Sequence, residues 1–207
     1  MTVSQYTSAN PTGTEVAPVT GTVDIVCQAR GGDGGNASAF IGGGGGGGGG
    51  CAQHSISVTA GDQVNVNIAD SGDSFAAKVI TGTGGFSGIS LRGNQGASGA
   101  IVTGGAGGTA SGGNVSNVSG TDGDSQCCGI GGAGGTRGGP IGGYGDGGEG
   151  GDAPSGTGDG RQGAIIRFTY TAAGGSLIYD GGRRSFGHMI LRRVIAWIKS
   201  RRPKWAM

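Results

Sequence analysis

The side chains of this chain that could do chemistry are two histidines, four cysteines and thirteen carboxylates. His54 stands in an alternating run with Ile56 and Val58, and His188 lies in a distant basic tail. A nucleophile–base–carboxylate arrangement or a histidine zinc site needs such groups in company, so the sequence points to a non-enzyme with no cofactor. The cysteines are Cys27, Cys51, Cys127 and Cys128, without the C-x-x-C spacing of a zinc knuckle. Four cysteines allow three pairings, and spacing does not choose among them. Cys27 continues the apolar face of a strand and reads as a buried thiol, whereas a disulfide joining Cys51 to the Cys127–Cys128 pair suits an extracellular particle. GGEGGD at 147–152 opens like a calcium-binding nonapeptide, but Pro154 takes an apolar position and the motif does not recur. What remains there is a lone surface ion at Asp146, Glu149 and Asp152, and no metal is assigned. The many G-x-G-x-x-G matches follow from composition, since none opens a helix after a strand.

Glycine sets the frame for these groups. It supplies 55 of 207 residues, against about 7 % in ordinary globular chains. Only 34 % of residues are apolar and 5 % aromatic, so a conventional core is thin. Five prolines and no sustained G-X-Y register exclude collagen. No run approaches the ~20 apolar residues of a spanning helix. Residues 1–17 lack the basic start and apolar stretch of a signal peptide.

Strand patterns bracket the glycine. Val23, Ile25 and Cys27 alternate within 22–30, Ile56 and Val58 within 52–60, and Val64, Val66 and Ile68 within 63–69. Gly61-Asp62 between the last two predicts a hairpin, because both residues tolerate the positive φ of tight turns. Short strands are expected at 78–81 and 90–92, and a closing strand at AIIRFTYT, 164–171. Between them, 129–152 reads as paired glycines separated by one or two other residues. An extended helix with three residues per turn would turn such glycines toward neighbours, so that backbone groups bond between helices. The competing reading is a flexible linker.

The order of parts resembles the glycine-rich domain of bacteriophage tail and fibre (adhesin-type) proteins. The likeness rests on TVDIVCQARGG, nine consecutive glycines, CAQHSISVTAGDQVNVNIADSG, the GGx blocks and GAIIRFTYT, and covers residues 16–171. It implies a sandwich of polyglycine II helices whose distal loops contact the host surface. Expected receptor contacts are the bulky residues amid glycine, Phe75, Phe86, Ile141 and Tyr144; packing between glycine helices is their competing role.

Charge divides the chain. Asp180 is the last acidic residue, and eight lysines and arginines follow it; the preceding part carries six basic and thirteen acidic residues. The boundary places a mostly β/irregular, glycine-rich body at 1–175 and a basic tail at 176–207. In the tail Phe186, Ile190, Leu191, Val194, Ile195, Trp197 and Ile198 share one helical face, Arg192 and Arg193 lie opposite, and Arg201 and Arg202 follow. This amphipathic α-helix is expected to dock on other virion proteins or on a second copy. A membrane interface and packaged nucleic acid are the other partners its charge would suit. The sequence therefore reads as a virion protein with a host receptor as partner, the alternative being a glycine-rich cell-surface or structural protein with a membrane- or nucleic-acid-binding tail.

Overall fold

A computed structural model describes residues 1–7, 11–68, 77–126, 129–160 and 163–174. The chain divides into two compact units, Met1–Ala173 and Gly174–Met207, and the described residues lie almost wholly in the first. Alternating β-branched and polar residues form strands β1 (Thr2–Thr7), β2 (Thr12–Val16), β3 (Gly21–Gln28), β4 (Cys51–Val58) and β5 (Gln63–Asn67). They continue with β6 (Ala77–Gly82), β7 (Leu91–Gly93), β8 (Ala110–Ser111), β9 (Ser116–Val118) and β10 (Ile165–Ala172). A single 3-10 turn, Gly84–Phe86, is the one helical element among the described residues.

The strands make two antiparallel sheets, ordered β1-β10-β3-β4-β9 and β2-β5-β6-β7-β8. Their inner faces meet in a core of Val23, Ile25 and Cys27 from β3, Val64 and Val66 from β5, and Val79, Leu91, Phe168 and Tyr170. Phe168 organises its aromatic part, edge-on to Tyr6 and Phe86 at 6.2 and 6.3 Å and nearly parallel to Tyr170. A small core thus gains both buried area and favourable ring geometry.

The hairpin expected at Gly61-Asp62 is instead an arch between sheets. β4 pairs with β3 and β9, while β5 pairs with β2 and β6. In a hairpin the apolar sets of both strands would share one face; in an arch they oppose each other across the core. The turn chemistry is the same in either case, with Gly61 at φ +94°. The arch is tied down by its backbone, Gly61 N–H donating to Ala17 and Ala17 N–H to Asp62 at 2.9 and 2.8 Å. The Asp62 carboxylate accepts the N–H groups of Thr59 and Gly85, both at 2.8 Å. These bonds hold its carboxyl below the usual carboxylate range.

β3 and β4 pair over eight residues, Gly21↔Val58 to Gln28↔Cys51, although a long glycine-rich excursion separates them. Residues 42–50 end that excursion, and every one of them is buried. Their backbone bonds repeat every three residues. The N–H groups of Gly43, Gly46 and Gly49 donate to Gly151, Gly148 and Gly145; those of Gly44, Gly47 and Gly50 to Ala100, Ala97 and Asn94; those of Gly45 and Gly48 to Asp124 and Thr121, all at 2.7–3.0 Å. Carbonyls follow the same rhythm, accepting from Gly132, Gly135 and Gly138, from Gly35, Gly32 and Ala29, and from Gly105 and Gly108 at 2.7–2.9 Å.

Segment 42–50 therefore has six neighbours, three that accept from it and three that donate to it. The six also bond to one another in a closed ring, through Gly96 to Arg30, Ala97 to Ala106, Gly120 to Gly108, Thr121 to Thr136, Gly147 to Gly135 and Gly148 to Gly32. Glycine is obligatory at the centre for a steric reason. A Cβ at any of 42–50 would stand 1.8–2.7 Å from a backbone carbonyl oxygen. The low apolar content is offset by buried backbone whose N–H groups from Gly43 to Gly50 and carbonyls from Gly42 to Gly50 are hydrogen-bonded.

Candidate functional site

Strand ends run straight into the glycine segments, so one end of the ring is fixed to the sheets and the other carries four reversals of the chain. At the first, Ser38 and Ile41 exchange backbone bonds at 2.8 and 3.2 Å, which puts Ala39 and Phe40 at the corner. Phe40 is 89 % exposed. At the second, Ala100 N–H donates to Thr103 at 2.9 Å and Ile101 and Val102 form the crest. Val102 has φ +81°. A β-branched residue there pays strain on the order of 1–2 kcal/mol, held in place by its bonds to Gly42 and Gln126. Gly129 (φ +82°) leads into Ile130 at the third. The fourth passes through Ala153, whose N–H donates to Gly129 at 2.8 Å, and closes with Gly156 N–H on Asp152 at 2.6 Å.

These crests are neighbours. Gly43 bridges to Ile101, Val102 donates to Gly42, and the Ile130 carbonyl lies against Gly42. Phe40, Ile41, Ile101, Val102 and Ile130 thus form one apolar tip, with Ile101 54 % and Ile130 66 % exposed. Asp152 is the only charged side chain at these described crests, and it is engaged by the Gly131 N–H at 2.7 Å. Exposed apolar groups gathered on rigid, partly strained turns suit recognition of an apolar surface.

Of the residues expected at a receptor, Phe86, Ile141 and Tyr144 lie elsewhere. Phe86 is fully buried between the sheets, because its ring is large enough to pay for core packing against Phe168. Ile141 is buried and Tyr144 half-buried on the outer face of the first sheet, over Val26, Cys51 and Ile165. Gln28 fastens that plug, its amide donating to the carbonyls of Ile141 and Tyr144. Phe86 and Ile141 are thus buried packing residues, and Tyr144 packs partly buried beside Ile141. Phe75 lies outside the described residues.

Cys51 is a free, buried thiol and not a bridged one, as is Cys27. Strand register explains why the two do not meet. Cys27 faces the core opposite Ala52, while Cys51 pairs with Gln28 and points to the outer face. Burial pushes the Cys27 thiol up to about 12 and the Cys51 thiol up to about 11, which suppresses the reactive thiolate. Cys127 and Cys128 lie outside the described residues. So do all the tail positions singled out above: Phe186, Ile190, Leu191, Arg192, Arg193, Val194, Ile195, Trp197, Ile198, Arg201 and Arg202.

Among the described residues, no group of three or more His, Cys, Asp or Glu is placed to hold a metal. Asp146 is taken by Arg137, at 2.6 Å between side chains and 2.9 Å from the Arg137 N–H. The other concentrated polar feature is Glu15, buried between the sheets. It accepts from Ser4 at 2.8 Å, Tyr6 at 3.0 Å and Tyr170 at 2.9 Å. Burial, reinforced by the Glu15 carboxylate, pushes the Tyr6 phenol up to about 12 and raises Tyr170 as well. This cluster ties β2 to β1 and β10, and its groups are saturated by one another.

Compared with known proteins, the chain matches no protein-family model and no curated sequence.

Proposed function

We propose that the chain is a non-enzymatic bacteriophage virion protein, a component of a tail fibre, spike or decoration, that presents its glycine-rich body to the host surface. Its glycine segments form a polyglycine II-type bundle, and an amphipathic helix in the basic tail fastens it to other virion proteins. The observation that carries this reading is the tip: five apolar side chains exposed on the reversals of a backbone-bonded bundle, at the end opposite the sheets. Receptor contact falls to Phe40, Ile41, Ile101, Val102 and Ile130. The likeness of residues 16–171 to phage adhesins supplies the biological setting.

Binding of the purified full chain to intact bacteria, screened over a panel of strains, tests the reading. Phe40→Ser with Ile130→Ser should weaken cell binding about tenfold or more, as loss of exposed anchors does, without lowering the melting temperature. Phe86→Leu should leave binding unchanged. Cell binding that survives the double substitution contradicts the assignment.

A further inference from the structure

β1 and β2 are open edges that lie one above the other. Among the described residues, β1 pairs only with β10 and β2 only with β5. Ser4 and Tyr6 reach Glu15, and Gly13 lies against the Tyr6 ring, so Ser4 stands level with Glu15 and Tyr6 with Gly13. The two strands therefore run in opposite directions at matched heights, one in each sheet. The far edge of the sandwich is protected, since β8 and β9 have two and three residues. There the Asn114 side chain also substitutes for a strand by bonding the N–H and carbonyl of Ser55, both at 2.8 Å. Among the described residues no such device guards β1 or β2. They are six and five residues long, contain no proline or lysine, and their single charge, Glu15, is buried inward. Exposed edges of that kind normally carry charges, bulges or prolines that block pairing.

We propose that these edges pair with those of a second copy, β1 of each chain running antiparallel to β2 of the other. A two-fold axis parallel to the strands accomplishes this. It exchanges the two sheets at the edge, keeps strand direction, and places residue i of β1 beside residue 19 − i of β2 in the partner copy, the sum that the matched heights Ser4/Glu15 and Tyr6/Gly13 fix. Faces then agree at every pair. Inward-pointing Ser4 meets Glu15, and Tyr6 meets Gly13. Outward-pointing Gln5 meets Thr14, and Val3 meets Val16. The last pair is telling, because Val3 and Val16 are the large apolar residues left exposed on these strands, at 52 % and 46 %. Cross-strand valines of this sort each contribute to sheet pairing. The edge carries no exposed side-chain charge, so meeting itself costs no repulsion. Both bundles point the same way in such a dimer, which sets two tips side by side. This inference does not depend on what the tips bind.

The test is the oligomeric state of the full chain by sedimentation, with two variants at exposed positions. Wild type is expected to be dimeric at high micromolar concentration. Gln5→Lys with Thr14→Lys puts like charges opposite each other and should raise the dimer dissociation constant about tenfold or more. Gln5→Lys with Thr14→Glu places opposite charges together across the β1–β2 contact and should remain dimeric. Circular dichroism of each variant checks that the sandwich is intact. A monomeric wild type, a dimer that survives the double lysine variant, or dissociation of the Lys/Glu variant overturns the proposal, the last because it signals β1 paired with β1.

Discussion

At Gly47 an added methyl would sit 2.1 Å from the Ala106 carbonyl oxygen, with backbone on every side and no flexible neighbour to yield. Gly47→Ala should therefore destabilise by about 3 kcal/mol or more, at the upper end of overpacking costs. In a body of this size that lowers the melting temperature by roughly 6–12 °C. Gly160→Ala is the control, for a Cβ there meets nothing within 4 Å. It should be neutral or slightly stabilising, because alanine restricts the unfolded chain. The tyrosines make a second residue-level prediction. The folded Tyr6 phenol sits at about 12 against an ordinary 10.0, so the neutral form is the one folding favours. Its stabilising effect is complete below pH 10 and is lost as pH rises toward 12. Glu15→Gln should lower the pH at which tyrosinate absorbance appears in the folded protein, since the carboxylate is part of the cause. Phe86, standing amid glycine, looks exposed in a one-dimensional reading, yet a scarce large ring is what a thin core most needs. The tip residues carried a readable signal in AFIG, AIVT and GIG, apolar pairs or single residues where one glycine segment must give way to the next.

Elements were legible as types and not as partners. The alternation in β3, β4, β5 and β10 marks strands because one face of each is buried, and the observed ranges follow it closely. Alternation says nothing about whether β4 folds back on β5 or arches over to another sheet. That depends on β3, which claims β4 across the glycine excursion, and on β2, which claims β5. β1 and β2 escaped notice because their threonines and serines give little apolar contrast. The arch itself is testable. Asp62→Asn keeps the shape but weakens a charged acceptor for two N–H groups, so the melting temperature should fall modestly at neutral pH. Because folding lowers this carboxyl's pKa, its contribution exists above the ordinary carboxylate range and disappears as pH falls through the folded value. Wild type and variant should converge in acid. A gap that persists there would mean that the turn is held by something other than the charge.

For the whole molecule, glycine serves as building material in the place of a large side-chain core. Segment 42–50 runs between the tip and the start of β4 without a single side chain of its own. Its ring of six neighbours is closed by backbone bonds, with side-chain bonds such as Arg30–Gln95 and Arg137–Asp146 added at some of its joints. The nine-glycine run is therefore among the best-ordered parts of the described residues. Native-state amide hydrogen exchange resolved over residues 42–50 measures this order. Protection should equal that of β3 and β10, with exchange only through global unfolding. Exchange of these glycines at the rate of an unstructured peptide, while the sheets remain protected, would contradict it.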